Sequence, residues 1–222
     1  MKIGVIGTGS MGSALGVQWA RAGHRVLFGS RDPAKASAVA GGCSALAGDF
    51  DAAAAFGEVV LYTVRDVLPS SLLRSPQALA GKIVIDCNNS AVLGLDVPDP
   101  ACRPGLHFTT PITSLAERLA AAAPDARVVK AFNTVPARVI ELGRERLVRH
   151  RVSVFLCSDR PAAKDVVKEL AEELGFVGTD SGGLESARLV EAVADLVRLQ
   201  ILAMGRGVLA TISLHDLEER QA

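Results

Sequence analysis

The sequence has few aromatic residues and no excess of charge of either sign. Aromatic side chains make up 4% of its 222 residues, with one Trp and one Tyr, so a surface that stacks single-stranded nucleic acid is not expected. Basic and acidic residues number 24 each, which leaves no basic field to attract a polyanion. We therefore predict no nucleic-acid partner.

Long hydrophobic runs are also missing. Apolar stretches such as Val59–Val64 stop far short of the roughly 20 residues that span a bilayer. No cationic leader precedes the first apolar stretch. We expect no membrane partner and a mature fold that begins at Met1.

Cysteine is scarce and scattered, without the Cys-x-x-Cys spacing of a zinc or redox pair. The four positions are Cys43, Cys87, Cys102 and Cys157. We expect small, mostly buried thiols in a reducing compartment, no metal site, and a cytoplasmic protein.

Short β-branched runs alternate with longer helical stretches. The predicted strands are Lys2–Ile6, Arg25–Phe28, Val59–Val64, Lys82–Asp86, Arg127–Phe132 and Val152–Cys157. Most are too uniformly apolar to have a wet face, which indicates a buried parallel sheet. The alternation predicts an α/β fold, with a Rossmann-type doubly wound sheet over residues 1–150.

Residues 151–222 are predicted to form a small α/β carboxyl-terminal lobe, acting as a lid or a dimer contact. It would contain a helix over Pro161–Leu174, a strand over Phe176–Thr179 and a long helix from Leu184 to about Met204. Apolar residues recur along that last helix at helical spacing. The stripe fits either packing on the core or pairing with a second subunit.

A glycine-rich turn follows the first strand and opens a helix. Gly7 permits the tight turn, Gly9 lets a pyrophosphate approach the backbone, and Gly12 lets the helix pack on the strand. The amides at the helix start would hold the phosphates. This context predicts dinucleotide binding; the alternative is a glycine-rich turn without chemistry.

The tip of the second strand carries no carboxylate where an NAD site usually has one. It reads Ser30-Arg31, with Lys35 one turn into the next helix, and these groups suit a 2′-phosphate. Asp32 is better explained as the N-cap of the helix that Pro33 begins. We predict NADP rather than NAD, the alternative being that Arg31 and Lys35 are solvated charges.

Mostly uncharged residues follow the other strands, where ligands of such sheets bind. Asparagine and threonine there can bind a nicotinamide carboxamide and ribose hydroxyls, or can simply turn the backbone. The candidate cofactor-binding residues are Thr63, Val64, Arg65, Asn88, Asn89, Ala131, Asn133, Thr134 and Pro136.

No strong proton donor stands out for carbonyl reduction. Lys130, Tyr62 and His107 are candidates, and Cys87 is a candidate nucleophile, but each is more simply structural. We therefore predict no catalytic side chain. Direct hydride transfer between two redox cofactors would explain this, because the cofactors carry the chemistry.

Three segments resemble the coenzyme F420-dependent NADP oxidoreductases and the related NADPH-binding domains of the STEAP ferric reductases: Met1–Lys35, Val128–Ala137 and Asp180–Glu191. The resemblance implies a homodimer that exchanges hydride between NADPH and a deazaflavin. By position, it implies NADP contacts at Thr8, Ser10, Met11, Ser30, Arg31 and Lys35, and nicotinamide contacts at Asn133, Thr134 and Pro136.

The sequence therefore predicts an NADP(H)-dependent oxidoreductase whose second substrate is coenzyme F420 or a flavin. The alternatives are an NADPH-dependent reductase of a small imine or carbonyl, and an NADPH-sensing module without catalysis.

Overall fold

The computed structural model describes residues 1–89 and 113–217, and its centre is a six-stranded sheet. Its strands are β1 (Lys2–Ile6), β2 (Arg25–Gly29), β3 (Leu46–Gly48), β4 (Val59–Tyr62), β5 (Ile83–Asp86) and β6 (Arg127–Lys130). They lie in the order β3-β2-β1-β4-β5-β6, and every pair is parallel. This is the predicted doubly wound sheet, whose strand order reverses between β1 and β4.

Helices cover this sheet and extend beyond it. They are α1 (Ser10–Arg21), α2 (Pro33–Gly41), α3 (Phe50–Phe56), α4 (Pro69–Leu72), α5 (Leu115–Ala122), α6 (Ala137–Ile140), α7 (Arg144–His150), α8 (Pro161–Glu173) and α9 (Ala187–Leu202). Asp32 caps α2, since its carboxylate accepts the amides of Ala34 and Lys35. No helix among residues 1–89 and 113–217 is long and apolar enough to cross a membrane.

A second, two-stranded parallel sheet follows, made of β7 (Ser153–Leu156) and β8 (Val177–Asp180). An antiparallel bridge between Lys130 and Cys157 joins it to β6. The Trp19 indole on α1 donates to the Leu170 carbonyl on α8 at 3.1 Å. The two sheets therefore share one hydrophobic core.

The structure differs from the sequence prediction at several element boundaries. β3 was not predicted, because it is only three residues long and its Leu46 is exposed. The strand predicted over Arg127–Phe132 ends at Lys130, and Phe132 takes a positive φ of 61°. The Phe132 ring packs edge-on against both Trp19 and Phe176, so packing fixes this turn.

The apolar stripe of α9 is divided between two faces. Val190 and Val197 are buried against the core, whereas the exposed fractions of Leu189, Leu196 and Leu202 are 67%, 45% and 57%. Among residues 1–89 and 113–217, only part of the stripe therefore packs on the core.

Candidate functional site

The turn between β1 and α1 owes its shape to two of its glycines and leaves the third open. Gly7 has a φ of +112°, and its amide donates to the Gly29 carbonyl at 3.0 Å. A Cβ on Gly12 would lie 2.0 Å from the Gly7 carbonyl oxygen, whereas one on Gly9 would meet no atom within 4 Å. Gly9 and Ser10 are exposed at the start of α1, where free amides attract anions.

Some residues around the turn already make hydrogen bonds or packing contacts within the fold, and others do not. The Thr8 carbonyl accepts from the Ser13 hydroxyl at 3.2 Å, and Met11 packs partly against the core. The Thr63 hydroxyl donates to the Ile6 carbonyl at 2.9 Å, so it braces the turn from β4. Next to it, Val64 is half-buried and Arg65 is exposed.

The tip of β2 presents a hydroxyl and two cations. Ser30 is buried, and its oxygen accepts the Asp32 amide at 3.1 Å. Arg31 and Lys35 are exposed. The Asp32 Oδ1 atom accepts the Ala34 and Lys35 amides at 3.0 and 3.3 Å. Helix capping therefore engages this carboxylate, as the sequence predicts.

The two asparagines after β5 have different surroundings. The buried Asn88 donates its amide to the Tyr62 carbonyl at 3.0 Å and to Asp86 Oδ1 at 2.8 Å, so it fixes the loop. Asn89 donates to the Asn133 carbonyl at 2.7 Å, and the Asn133 amide donates back to Asn89 Oδ1 at 2.9 Å. This pair ties the ends of β5 and β6 together.

The loop after β6 holds two buried polar atoms that lack a hydrogen-bond partner among the described residues: Asn133 Oδ1 and Thr134 Oγ1. Buried polar atoms are nearly always paired, so an unpaired set at the carboxyl edge of a sheet calls for a ligand or water. Ala131 is fully buried, and Pro136 caps α6.

Lys130 lies in a buried ionic network that the sequence did not predict. Its ammonium donates to Asp86 Oδ2 at 2.9 Å, to the Asn88 carbonyl at 2.5 Å and to Glu191 Oε1 at 2.6 Å. The side chain has no solvent exposure. Two features of the sequence were available as signals of this network. Glu191 stands among the buried apolar residues of α9, and the apolar strands β5 and β6 end in the charged residues Asp86 and Lys130.

The electrostatics of this network favour a protonated lysine. Burial alone would lower the pKa of Lys130, but the attraction of Asp86 and Glu191 outweighs it and raises the pKa. Burial raises the pKa of Glu191 more than Lys130 lowers it. Lys130 therefore keeps its proton, and its three N–H groups already have acceptors.

The other candidates for chemistry are similarly engaged or lie elsewhere. The Tyr62 hydroxyl donates to the Val67 carbonyl at 2.6 Å, and burial raises its pKa. Burial raises the pKa of Cys87 to about 12. His107 and Cys102 lie outside the described residues. Within the described ranges, no group of His, Cys, Asp and Glu side chains could hold a metal ion.

Residues 2–90 match the model of a family described as NADP oxidoreductase, coenzyme F420-dependent. The chain is also similar to the F420-dependent NADP reductase of Methanothermobacter thermautotrophicus. The two are 32% identical over 213 residues, which cover 89% of this chain and 88% of the relative.

The human metalloreductase STEAP2 is 32% identical over 215 residues, or 96% of this chain. The chain spans only 39% of that metalloreductase's length. A solved structure from Arthrobacter sp. FB24 superposes with a TM-score of 0.77 at 28% identity. That match covers 97% of this chain and all of the other. With its parallel sheet, its glycine turn and its near full-length similarity to the Methanothermobacter reductase, the chain belongs to the family of coenzyme F420-dependent NADP oxidoreductases.

Proposed function

We propose that the protein is an NADP(H)-dependent oxidoreductase that transfers a hydride between the nicotinamide and coenzyme F420. The observation that carries the proposal is the tip of β2, where Ser30 and Arg31 stand and the carboxylate of Asp32 caps its own helix. Membership of the family, and the names of its relatives, support the same reaction.

Described residues at the carboxyl ends of β1, β2 and β6 suit NADP. The open space over Gly9 suits a pyrophosphate, and Ser30, Arg31 and Lys35 suit a 2′-phosphate. The unpaired Asn133 Oδ1 accepts and the Thr134 hydroxyl donates or accepts, which suits a carboxamide. We propose the full set predicted from the sequence as the cofactor contacts.

When bound, the nicotinamide supplies or receives the hydride. The chain's own residues position the two cofactors and exclude water between them. Lys130 and Tyr62 already donate to protein acceptors, which favours transfer between cofactors over reduction of an imine or carbonyl that needs a protein proton donor.

Replacing Arg31 tests the cofactor preference. Arg31→Gln removes a charge-assisted contact of about 1.5–3 kcal/mol, so NADP should bind roughly ten- to a hundredfold more weakly while NAD binding barely changes. Arg74→Gln is the control, since Arg74 is exposed and pairs with Asp49 and Asp51 instead. Calorimetry that finds no NADP preference in the wild-type protein would overturn the proposed cofactor.

Mixing the protein with NADPH and coenzyme F420 tests the reaction. Turnover should appear as loss of absorbance at the nicotinamide band, with FMN and FAD as comparison acceptors. Tight NADPH binding without turnover on any of the three would instead support a sensing module.

We further propose a homodimer formed through α9 and the segment that follows it. Exposed apolar side chains concentrate there: Leu189, Leu196, Leu202, Met204, Val208, Leu209, Leu214 and Leu217. A patch of this kind marks an interaction surface. Leu196→Lys should yield monomers in light scattering, whereas Val148→Lys, at an exposed site on α7, should not.

The division into a cofactor-binding domain over 1–150 and a lobe over 151–222 stays a proposal, as does a cytoplasmic location. The free thiols of Cys43, Cys87 and Cys157 suit a reducing compartment.

A further inference from the structure

The ammonium of Lys130 lies where β5, β6 and α9 meet. Two carboxylates, Asp86 and Glu191, and the backbone carbonyl of Asn88 take its hydrogen bonds. The side chains of Asp86 and Glu191 are 2% and 6% exposed. The network therefore holds the first residues of the Asn88-Asn89 loop from inside the protein.

Helix α9 contacts the same edge of the sheet a second time through Val190, the residue before Glu191. The Val190 carbonyl accepts a hydrogen bond from the side-chain amide of Asn133 at 3.1 Å. The Asn133 amide also donates to Asn89. Successive residues of α9 thus hold Lys130 through a side chain and Asn133 through the backbone, so the placement of α9 decides where both loops lie.

Glu191 also fixes the start of α5, because its carboxylate accepts the Leu115 amide at 3.0 and 3.2 Å. One buried carboxylate therefore joins α5, α9 and the end of β6. Burying charges is costly, and apolar side chains of similar volume often pack as stably. What the network adds is a set of directed contacts, since the three hydrogen bonds of the Lys130 ammonium fix where Asp86, Asn88 and Glu191 lie relative to one another.

We propose that Glu191, acting through Lys130, is a positioning residue for the nicotinamide end of the site. It holds the Asn88-Asn89 loop and, with the Val190 carbonyl, the orientation of Asn133. This inference rests on the proposed function, because it assigns a role to residues that would contact NADP.

A matched control exists on the same two helices. Arg188 on α9 pairs with Glu117 on α5, with Nε 2.8 Å from Oε2. The Arg188 side chain is 38% exposed, and among the described residues the side-chain hydrogen bonds of this pair involve Ser114 and each other, and neither asparagine loop. Arg188→Gln therefore weakens the contact between α5 and α9 without touching the residues that Lys130 holds.

The test compares Glu191→Leu with Arg188→Gln in the full chain. Leucine cannot accept from Lys130 or Leu115, yet it leaves Lys130 and Asp86 as a neutral pair. Two affinities are measured by calorimetry: that for NADPH and that for adenosine 2′,5′-bisphosphate, which contains only the adenosine half. Glu191→Met, which also lacks an acceptor oxygen, is the second variant if Glu191→Leu does not fold, and the same results are expected of it.

For Glu191→Leu, we expect NADPH to bind about two- to tenfold more weakly, the loss of one hydrogen bond, with unchanged affinity for the bisphosphate. Turnover with F420 should fall on the order of 10- to 100-fold, because small misplacements of reacting groups are costly. Arg188→Gln should change neither the ratio of affinities nor turnover.

The positioning role is overturned if Glu191→Leu keeps the wild-type ratio of affinities, or if Arg188→Gln lowers that ratio as much. A wild-type protein that binds neither NADPH nor the bisphosphate would overturn the proposed function itself, and this inference with it. The two failures are therefore distinguishable.

Discussion

The same added methyl group should leave the stability of the fold nearly unchanged at Gly9 and lower it at Gly12. Gly9 has φ −74° and ψ −175°, which alanine adopts freely. Alanine restricts the unfolded chain more than glycine does, which stabilises the fold by about 0.4–1 kcal/mol. Alanine is also a poorer N-cap for α1, which costs a similar amount, about 0.5–1 kcal/mol. Gly9→Ala should therefore leave the free energy of unfolding nearly unchanged. At Gly12 the new Cβ would lie 2.0 Å from a backbone oxygen, and such overpacking costs about 1–3 kcal/mol.

Binding should show a different pattern from stability. The methyl group of Gly9→Ala would occupy the space through which we propose the pyrophosphate approaches, so NADPH should bind at least tenfold more weakly, about 1.4 kcal/mol. Urea unfolding measures stability, and NADPH titration measures binding. Gly41→Ala is the control, because Gly41 ends α2 and a Cβ there also meets no atom within 4 Å. Wild-type affinity in Gly9→Ala would refute this placement of the pyrophosphate.

Two further predictions concern contacts outside the glycine turn. Trp19→Phe removes the hydrogen bond from the indole to the buried Leu170 carbonyl. It should lower the free energy of unfolding in urea by about 1–3 kcal/mol, and unchanged stability would contradict this. The hydrogen bond from Arg188 lowers the pKa of Glu117 from 4.5 to about 2. Glu117 therefore stabilises the fold above pH 4.5 and loses that contribution as the pH falls towards 2, so the stability difference from Glu117→Gln should shrink over that interval.

The sequence predicts the sheet well because its strands are continuous apolar runs separated by helix signals. The pattern fails where a strand carries no such run. β3, at the edge of the sheet, is short and partly exposed, and only its pairing with β2 defines it. Beyond Lys130, apolar residues continue to Phe132, but aromatic packing turns the backbone there.

The candidate site divides in the same way. The glycine turn and the tip of β2 are local, since each depends on residues close together in the chain. The network around Lys130 is not local: Glu191 lies 61 positions away, and in the sequence it is one of several polar residues on the amphipathic helix α9. Pattern reasoning left Lys130 with either a structural or a proton-donating role. Only the fold brings the two carboxylates to it.

The energetic role of this network can be tested by removing its cation. Lys130→Met leaves Asp86 and Glu191 buried without a positive partner, which should cost about 3–5 kcal/mol. Asp86 keeps two donors, the backbone and side-chain amides of Asn88, whereas among the described residues Glu191 keeps only the Leu115 amide, so Glu191 should account for more of the loss. The double variant Lys130→Met/Glu191→Met should therefore unfold at higher urea than the single variant, a non-additive result.

The pH dependence of that difference identifies its source. Burial already raises the pKa of Glu191, and losing Lys130 removes the attraction that opposes the increase. A carboxyl whose folded pKa exceeds its unfolded pKa binds a proton more tightly in the folded state, so acid stabilises the fold at that group. The deficit of Lys130→Met relative to the double variant should thus shrink as the pH falls through the raised pKa. A deficit that is constant with pH, or single and double variants of equal stability, would show that Glu191 carries no uncompensated charge there.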